Sequence, residues 1–196
     1  MKEKAQAGIA QFLDALGVDP TSDVMSKTPE RVASLFADFF SGVNKTTADV
    51  WGETFTSEYE GLVAVTGIAY HSVCEHHLMP FFGTVDIIYQ PHKGRVAGIS
   101  KFGDVIDILA HRPQIQERLT KQIADAIEQE LGADGVLVRI RGTHMCMLVK
   151  GEFPQGTVVQ TLECRGVLGE SGPLREEALT MLGGITDAQT AQLSVE

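Results

Sequence analysis

Gly83-Thr84-Val85-Asp86-Ile87-Ile88-Tyr89-Gln90-Pro91-His92-Lys93-Gly94-Arg95-Val96-Ala97-Gly98-Ile99 is the stretch that decides the fold class. Its first half is β-branched and aromatic, and Gln90-Pro91-His92-Lys93-Gly94 interrupts it with turn residues. Extended texture resumes at Arg95, so the stretch predicts an antiparallel hairpin. Upstream, Leu62-Val63-Ala64-Val65 and Ile68-Ala69-Tyr70 read as two further strands. Downstream the period changes. Ser100 is placed to cap a helix over Phe102–Leu109, and Pro113 to open a second. There Ile115, Leu119, Ile123, Ile127 and Leu131 recur every four residues, and Gly132 closes the stripe. Strands are predicted again from Val136 to Val149 and across Thr157–Leu162. Strands, paired helices and strands again predict an α+β unit with an antiparallel sheet.

The ends of the chain read differently. Ile9, Phe12, Leu13 and Leu16 mark an amphipathic helix stopped by Gly17, and Thr28-Pro29-Glu30-Arg31 opens a second, with Thr28 as its cap. Residues 43–60 read as a connecting loop. Residues 1–60 are therefore expected to form a helical region and 61–196 the sheet-bearing domain. The tail from Glu170 to Glu196 is acidic and expected to be partly helical.

Composition narrows the function classes. The chain has 196 residues, a net charge of −10 and a hydrophobic share of 43%. A general nucleic-acid binder needs a basic face, so no nucleic-acid partner is expected. No run approaches the roughly 18 apolar residues of a membrane span, and the amino terminus lacks the apolar core of a signal peptide. No membrane partner and a cytoplasmic location are the expectations. Three cysteines at wide spacing do not make a disulfide framework, which leaves metal binding or burial.

The densest reactive cluster is Cys74-Glu75-His76-His77, just before Pro80. Cysteine and histidine separated by two residues is a common zinc chelate spacing, although a buried Cys74 beside incidental histidines would give the same letters. His144-Met145-Cys146 strengthens the metal reading. On a continuous strand His144 and Cys146 would share a face, with Met145 and Met147 turned to the core. Three protein ligands with an open position characterise catalytic zinc, and Cys74, His77 and Cys146 are the expected three. His76 and His144 would then stand unligated nearby, able to move protons near neutral pH.

With these residues in place the chain resembles the GTP cyclohydrolase I family. The resemblance rests on Thr28-Pro29-Glu30-Arg31-Val32, Cys74-Glu75-His76-His77 with Pro80-Phe81-Phe82-Gly83, Gly98-Ile99-Ser100-Lys101, Arg112 to Thr120, and His144-Met145-Cys146-Met147, in the family's order across about residues 8 to 151. It implies the tunnelling fold, an antiparallel sheet with a helix pair on one face and an N-terminal helical extension. It implies a homo-oligomer, a toroidal homodecamer with active sites between subunits. It implies a guanine nucleotide as substrate: activated water attacks carbon 8 of GTP, formate leaves, and the product is 7,8-dihydroneopterin triphosphate. Cys74, His77 and Cys146 match the family's Zn2+ ligands, His144 the proton donor to the imidazole ring, and His76 the acid/base group near the ribose. Glu117 with Gln116 matches the residues that read the guanine edge, where a carboxylate can accept two parallel N–H bonds. An exposed helix charge is the bland reading of Glu117.

The phosphate end departs from the family. Arg31 and Lys101 stand at phosphate-binding positions and Ser100 is a further substrate-binding candidate, but Asp104 replaces a usual arginine and Lys150 another, losing the bidentate fork. Cys164 reads as a small buried hydrophobe. Two rivals accompany the main reading. One is a paralogue that reads the phosphates differently, the other a catalytically silent binding relative. The nitrile reductases of the same fold need a nucleophilic cysteine motif that this sequence lacks.

Overall fold

The computed structural model describes residues 2–151, 154 and 156–190, with side chains described as far as Gly183. Residues 191–196 of the acidic tail lie outside the described residues. The chain is α+β. Helices α1 (Lys2–Ala15) and α2 (Thr28–Phe39) come first, then a two-residue strand β1 (Phe55–Thr56). Strands β2 (Val63–Cys74) and β3 (Pro80–Gln90) follow, then β4 (Arg95–Val96), α3 (Ser100–Ala110), β5 (Pro113–Gln114) and α4 (Gln116–Ala126). The chain continues through β6 (Gly135–His144), α5 (Met145–Val149), β7 (Val159–Gly166) and α6 (Pro173–Thr190).

Five strands form one sheet in the order β5-β2-β3-β6-β7, antiparallel except where β5 runs parallel to β2. Alternation along the strands divides the apolar residues between two faces. Val85, Ile87, Val136, Val138 and Ile140 meet α3 and α4 through Phe102, Ile106, Leu119 and Ile123. Ile88 and Leu137 point the other way, to Leu168, Ala178 and Leu182 from α6 and its approach. The helix pair thus covers one face and α6 part of the other. On that second face Arg139 donates through Nε and Nη2 to Asp86 Oδ2, and Gly67 N–H donates to Asp86 Oδ1, so the buried carboxylate is satisfied.

The sequence expectation needs several corrections. Runs 62–65 and 68–70 belong to one strand, β2, with a register shift between Val65 and Ile68 at Gly67, whose φ is 70°. The expected hairpin after β3 does not form. Lys93 and Gly94 take φ of 48° and 72°, and β4 pairs with β1 instead of returning along β3. The edge of β3 it would have used is taken by β6, whose ten-residue register offers far more ladder. Thr28 and Ser100 make no side-chain cap, and Pro113 belongs to β5, with α4 starting only at Gln116. The stripe ends as expected at Gly132, φ 76°, after a π-helical turn over Ile127–Leu131.

The largest correction concerns Val136–Val149. The strand stops at His144, which pairs with Phe81, and Met145–Val149 is helical. β3 begins at Pro80, so the partner ladder ends there. With no neighbour to bond, the backbone satisfies itself locally.

Candidate metal centre and active site

Three segments meet at the end of the sheet. β2 delivers Cys74, and the chain then folds into a tight knuckle. Leu78 N–H donates to Cys74 O at 2.9 Å, and Cys74 N–H donates to Met79 O at 2.9 Å. Leu78 adopts φ 51°, a left-handed conformation that costs a branched residue energy and tends to collect at functional sites. That turn swings His77 back toward Cys74. From the other side, the helical turn after β6 carries Cys146 to the same place. The ligand atoms of Cys74, His77 and Cys146 all lie within 4.8 Å of one another. The two thiols are buried and His77 is exposed. Two sulfurs and an imidazole nitrogen suit zinc, and an exposed third donor leaves a side open to solvent. Burial and the neighbouring Cys74 both push the Cys146 thiol up, and a divalent cation relieves both effects.

The knuckle is braced from α4. Arg118 donates through Nη1 and Nη2 to the two carboxylate oxygens of Glu75, at 2.6 and 3.0 Å. Glu75 N–H donates to Gln114 O at 3.0 Å. Sequence reading missed this bidentate pair, because Arg118 falls outside the apolar stripe and no spacing marks its partner.

His144 is held by two neighbours. Its ring stacks on Phe81 with centroids 4.7 Å apart and an 8° tilt. Its Nε2 lies 2.9 Å from Gln116 Oε1, and Gln116 Nε2 donates to Ile140 O, Val159 O and Thr161 Oγ1. The amide orientation is therefore fixed, Oε1 accepts, and His144 carries its proton on Nε2. Burial pushes the His144 pKa down, partly offset by the carboxylate of Glu117. Gln116, expected beside Glu117 at the substrate, is 1% exposed and directs its amide inward. Glu117 is exposed on the first turn of α4.

His76 is exposed, its Nε2 3.9 Å from Glu75 Oε1. Lys150 donates from Nζ to His77 Nε2 at 3.0 Å. Lys101 Nζ lies 3.5 Å from Asp104 Oδ2 at the start of α3, so the unexpected aspartate is paired within its own helix. Arg31 is exposed on α2. Among the described residues no hydrogen bond or ion pair joins Arg31, Ser100 or Lys101 to the Cys/His/Cys cluster.

The model of the family described as GTP cyclohydrolase I matches residues 5–183. The chain belongs to the GTP cyclohydrolase I family. GTP cyclohydrolase 1 of Streptococcus pyogenes serotype M49 (strain NZ131) is 41% identical over 181 residues, covering 92% of this chain and 93% of that protein. The namesake protein of serotype M1 shows the same identity and coverage. A solved archaeosine synthase of the QueF-like type, in its apo form, overlaps 59% of this chain and all of its own with a TM-score of 0.45 and 19% identity, too slight a likeness to speak for function. The chain is thus a GTP cyclohydrolase I-like hydrolase. No helix among the described residues is long and apolar enough to cross a membrane.

Proposed function

We propose that this chain hydrolyses GTP to 7,8-dihydroneopterin triphosphate and formate, with zinc held by Cys74, His77 and Cys146. The observation that carries the reading is the meeting of those three donors at the sheet end that also bears His144, with Glu117 of α4 close enough to act on it. Bound zinc would supply Lewis acidity toward water at neutral pH.

The chain's own residues supply the rest. A neutral His144 with Nε2–H committed to Gln116 has Nδ1 left to accept and return a proton during ring opening. Its depressed pKa favours that neutral form near pH 7. Glu117 accepts the paired N–H groups of the guanine edge, and exposed His76 handles protons at the ribose. Arg31, Ser100, Lys101 and Lys150 bind the phosphates, in a cytoplasmic homo-oligomer, a homodecamer by family, whose neighbouring subunits complete each site. Lys150 has a conditional part. It donates to His77 Nε2, and ligation through either ring nitrogen ends that bond, because Nε2 would then hold the metal or a proton. Metal loading therefore frees the Lys150 ammonium.

A second reading, altered phosphate recognition, is favoured by the Lys101–Asp104 pair, since Asp104 competes with phosphate for the cation. Formate release from GTP, GDP and GMP by the zinc-loaded protein separates the readings. Preference for GTP is expected. Equal rates on all three would end the claim of triphosphate recognition, and no formate from any would favour the silent relative.

A further inference from the structure

A second imidazole pair lies outside everything the hydrolysis uses. His71 on β2 and His111, the residue after α3, approach Nε2 to Nε2 at 3.1 Å, with their rings at 84°. His111 Nδ1 lies 2.8 Å from the backbone oxygen of Asp107 and 2.9 Å from its carboxylate. Both are acceptors, so the proton sits on Nδ1 and Nε2 presents a lone pair toward His71. Phe39 of α2 packs edge-on against His71 with ring centroids 5.6 Å apart. A cavity of about 110 Å³ borders His71, Asp107 and Ala110.

Three features of this arrangement match a metal site. With metal–nitrogen bonds of about 2.0–2.1 Å, adjacent ligand atoms stand roughly 3.0 Å apart in octahedral and 3.4 Å in tetrahedral coordination, and the observed separation falls between them. An acceptor behind a histidine, fixing its tautomer, is what metal-ligating histidines commonly have. The neighbouring cavity has room for water to complete the coordination. We propose that His71 and His111 form a second metal site for a divalent transition ion, with Asp107 orienting His111. Imidazole donors select ions such as nickel, copper or zinc over magnesium and calcium. The site is independent of the zinc reading. It ties β2 three residues before Cys74 to the segment that enters β5, where Pro113 and Gln114 pair with Val73 and Cys74. An ion there would clamp the base of the Cys74 knuckle.

The test loads the full-length protein with a single equivalent of zinc per chain, enough for the Cys/His/Cys cluster alone, dialyses it against Ni2+ and counts both metals per chain by mass spectrometry in the wild type, His71→Phe and His111→Asn. The wild type is expected to take up one more nickel than either variant, with the zinc count equal in all three. Nickel should also slow diethylpyrocarbonate modification of His71 in the wild type at least several-fold. Equal nickel in wild type and variants, or His71 modified at one rate with and without nickel, would overturn the site and leave a plain N–H···N hydrogen bond. Failure of the zinc assignment would show separately, in the zinc count.

Discussion

Gln116 joins three things with one side chain: the neutral tautomer of His144, the end of β6, and β7 through Val159 and Thr161. Gln116→Leu leaves these groups without their partner in a buried place, at about 1–3 kcal/mol per unsatisfied group. A fall in the unfolding midpoint is expected, together with a lower kcat as His144 loses its orientation. Unchanged kcat in a folded variant would refute the positioning role. Metal content separates the cysteines. Cys146→Ser should lose most bound zinc, whereas Cys164→Ser should keep it, because Cys164 packs beside Leu137 and Leu182 away from the cluster. Tyr70 carries a pH prediction. Burial raises its folded pKa, so its contribution is fully present below the unfolded value near 10 and is lost as pH rises toward the folded one. Denaturant titrations from pH 9 to 11 should show a shallower loss of stability in Tyr70→Phe than in the wild type. Most of the Cys/His/Cys grouping was legible at this scale, since Cys-x-x-His spacing is set by the local turn. The Gln116–His144 bond was not, because nothing in the letters links a helix start to a strand end.

At the scale of elements, the end of β6 matters most. The sequence reading placed His144 and Cys146 on one face of a strand, but a strand would carry Cys146 about 6–7 Å onward. The helical turn of α5 brings it back to Cys74. Periodicity over so short a run cannot separate the two, and the length of β3 settles the matter. Gly142 shows how tightly β6 and α4 are fitted. A Cβ there would overlap Gln116 Oε1 and the Tyr70 hydroxyl. Gly142→Ala should therefore reproduce the kcat loss of Gln116→Leu, measurable as formate release. On the knuckle, Arg118→Leu removes the bidentate brace on Glu75. Zinc affinity measured by competition with a chelator should fall about tenfold, as is common when groups behind the ligands are lost.

The whole molecule leaves apolar surface uncovered. Phe12 of α1 and Leu16 in the turn after it are 60% and 65% exposed, and no residue of that helix is buried. An apolar groove of about 710 Å³ runs between α1 and α2 and reaches His77 and Leu78. An amphipathic helix with its stripe in water is incomplete as a single chain. The oligomer proposed from the family would supply a covering surface. Sedimentation should give a ten-chain particle, and Phe12→Ser with Leu16→Ser should yield smaller species. A monomer of wild type at micromolar concentration would contradict the assembly.

By itself the sequence determined the α+β class, the helix pair, and the Cys and His residues that could hold a metal, since periodicity and chelate spacing act over a few residues. Tertiary structure alone decided where β6 stops, which edge β4 pairs with, and that His71 faces His111. Those outcomes turn on which strand edges and side chains compete for one partner across forty or more positions, and local letters do not record such competition.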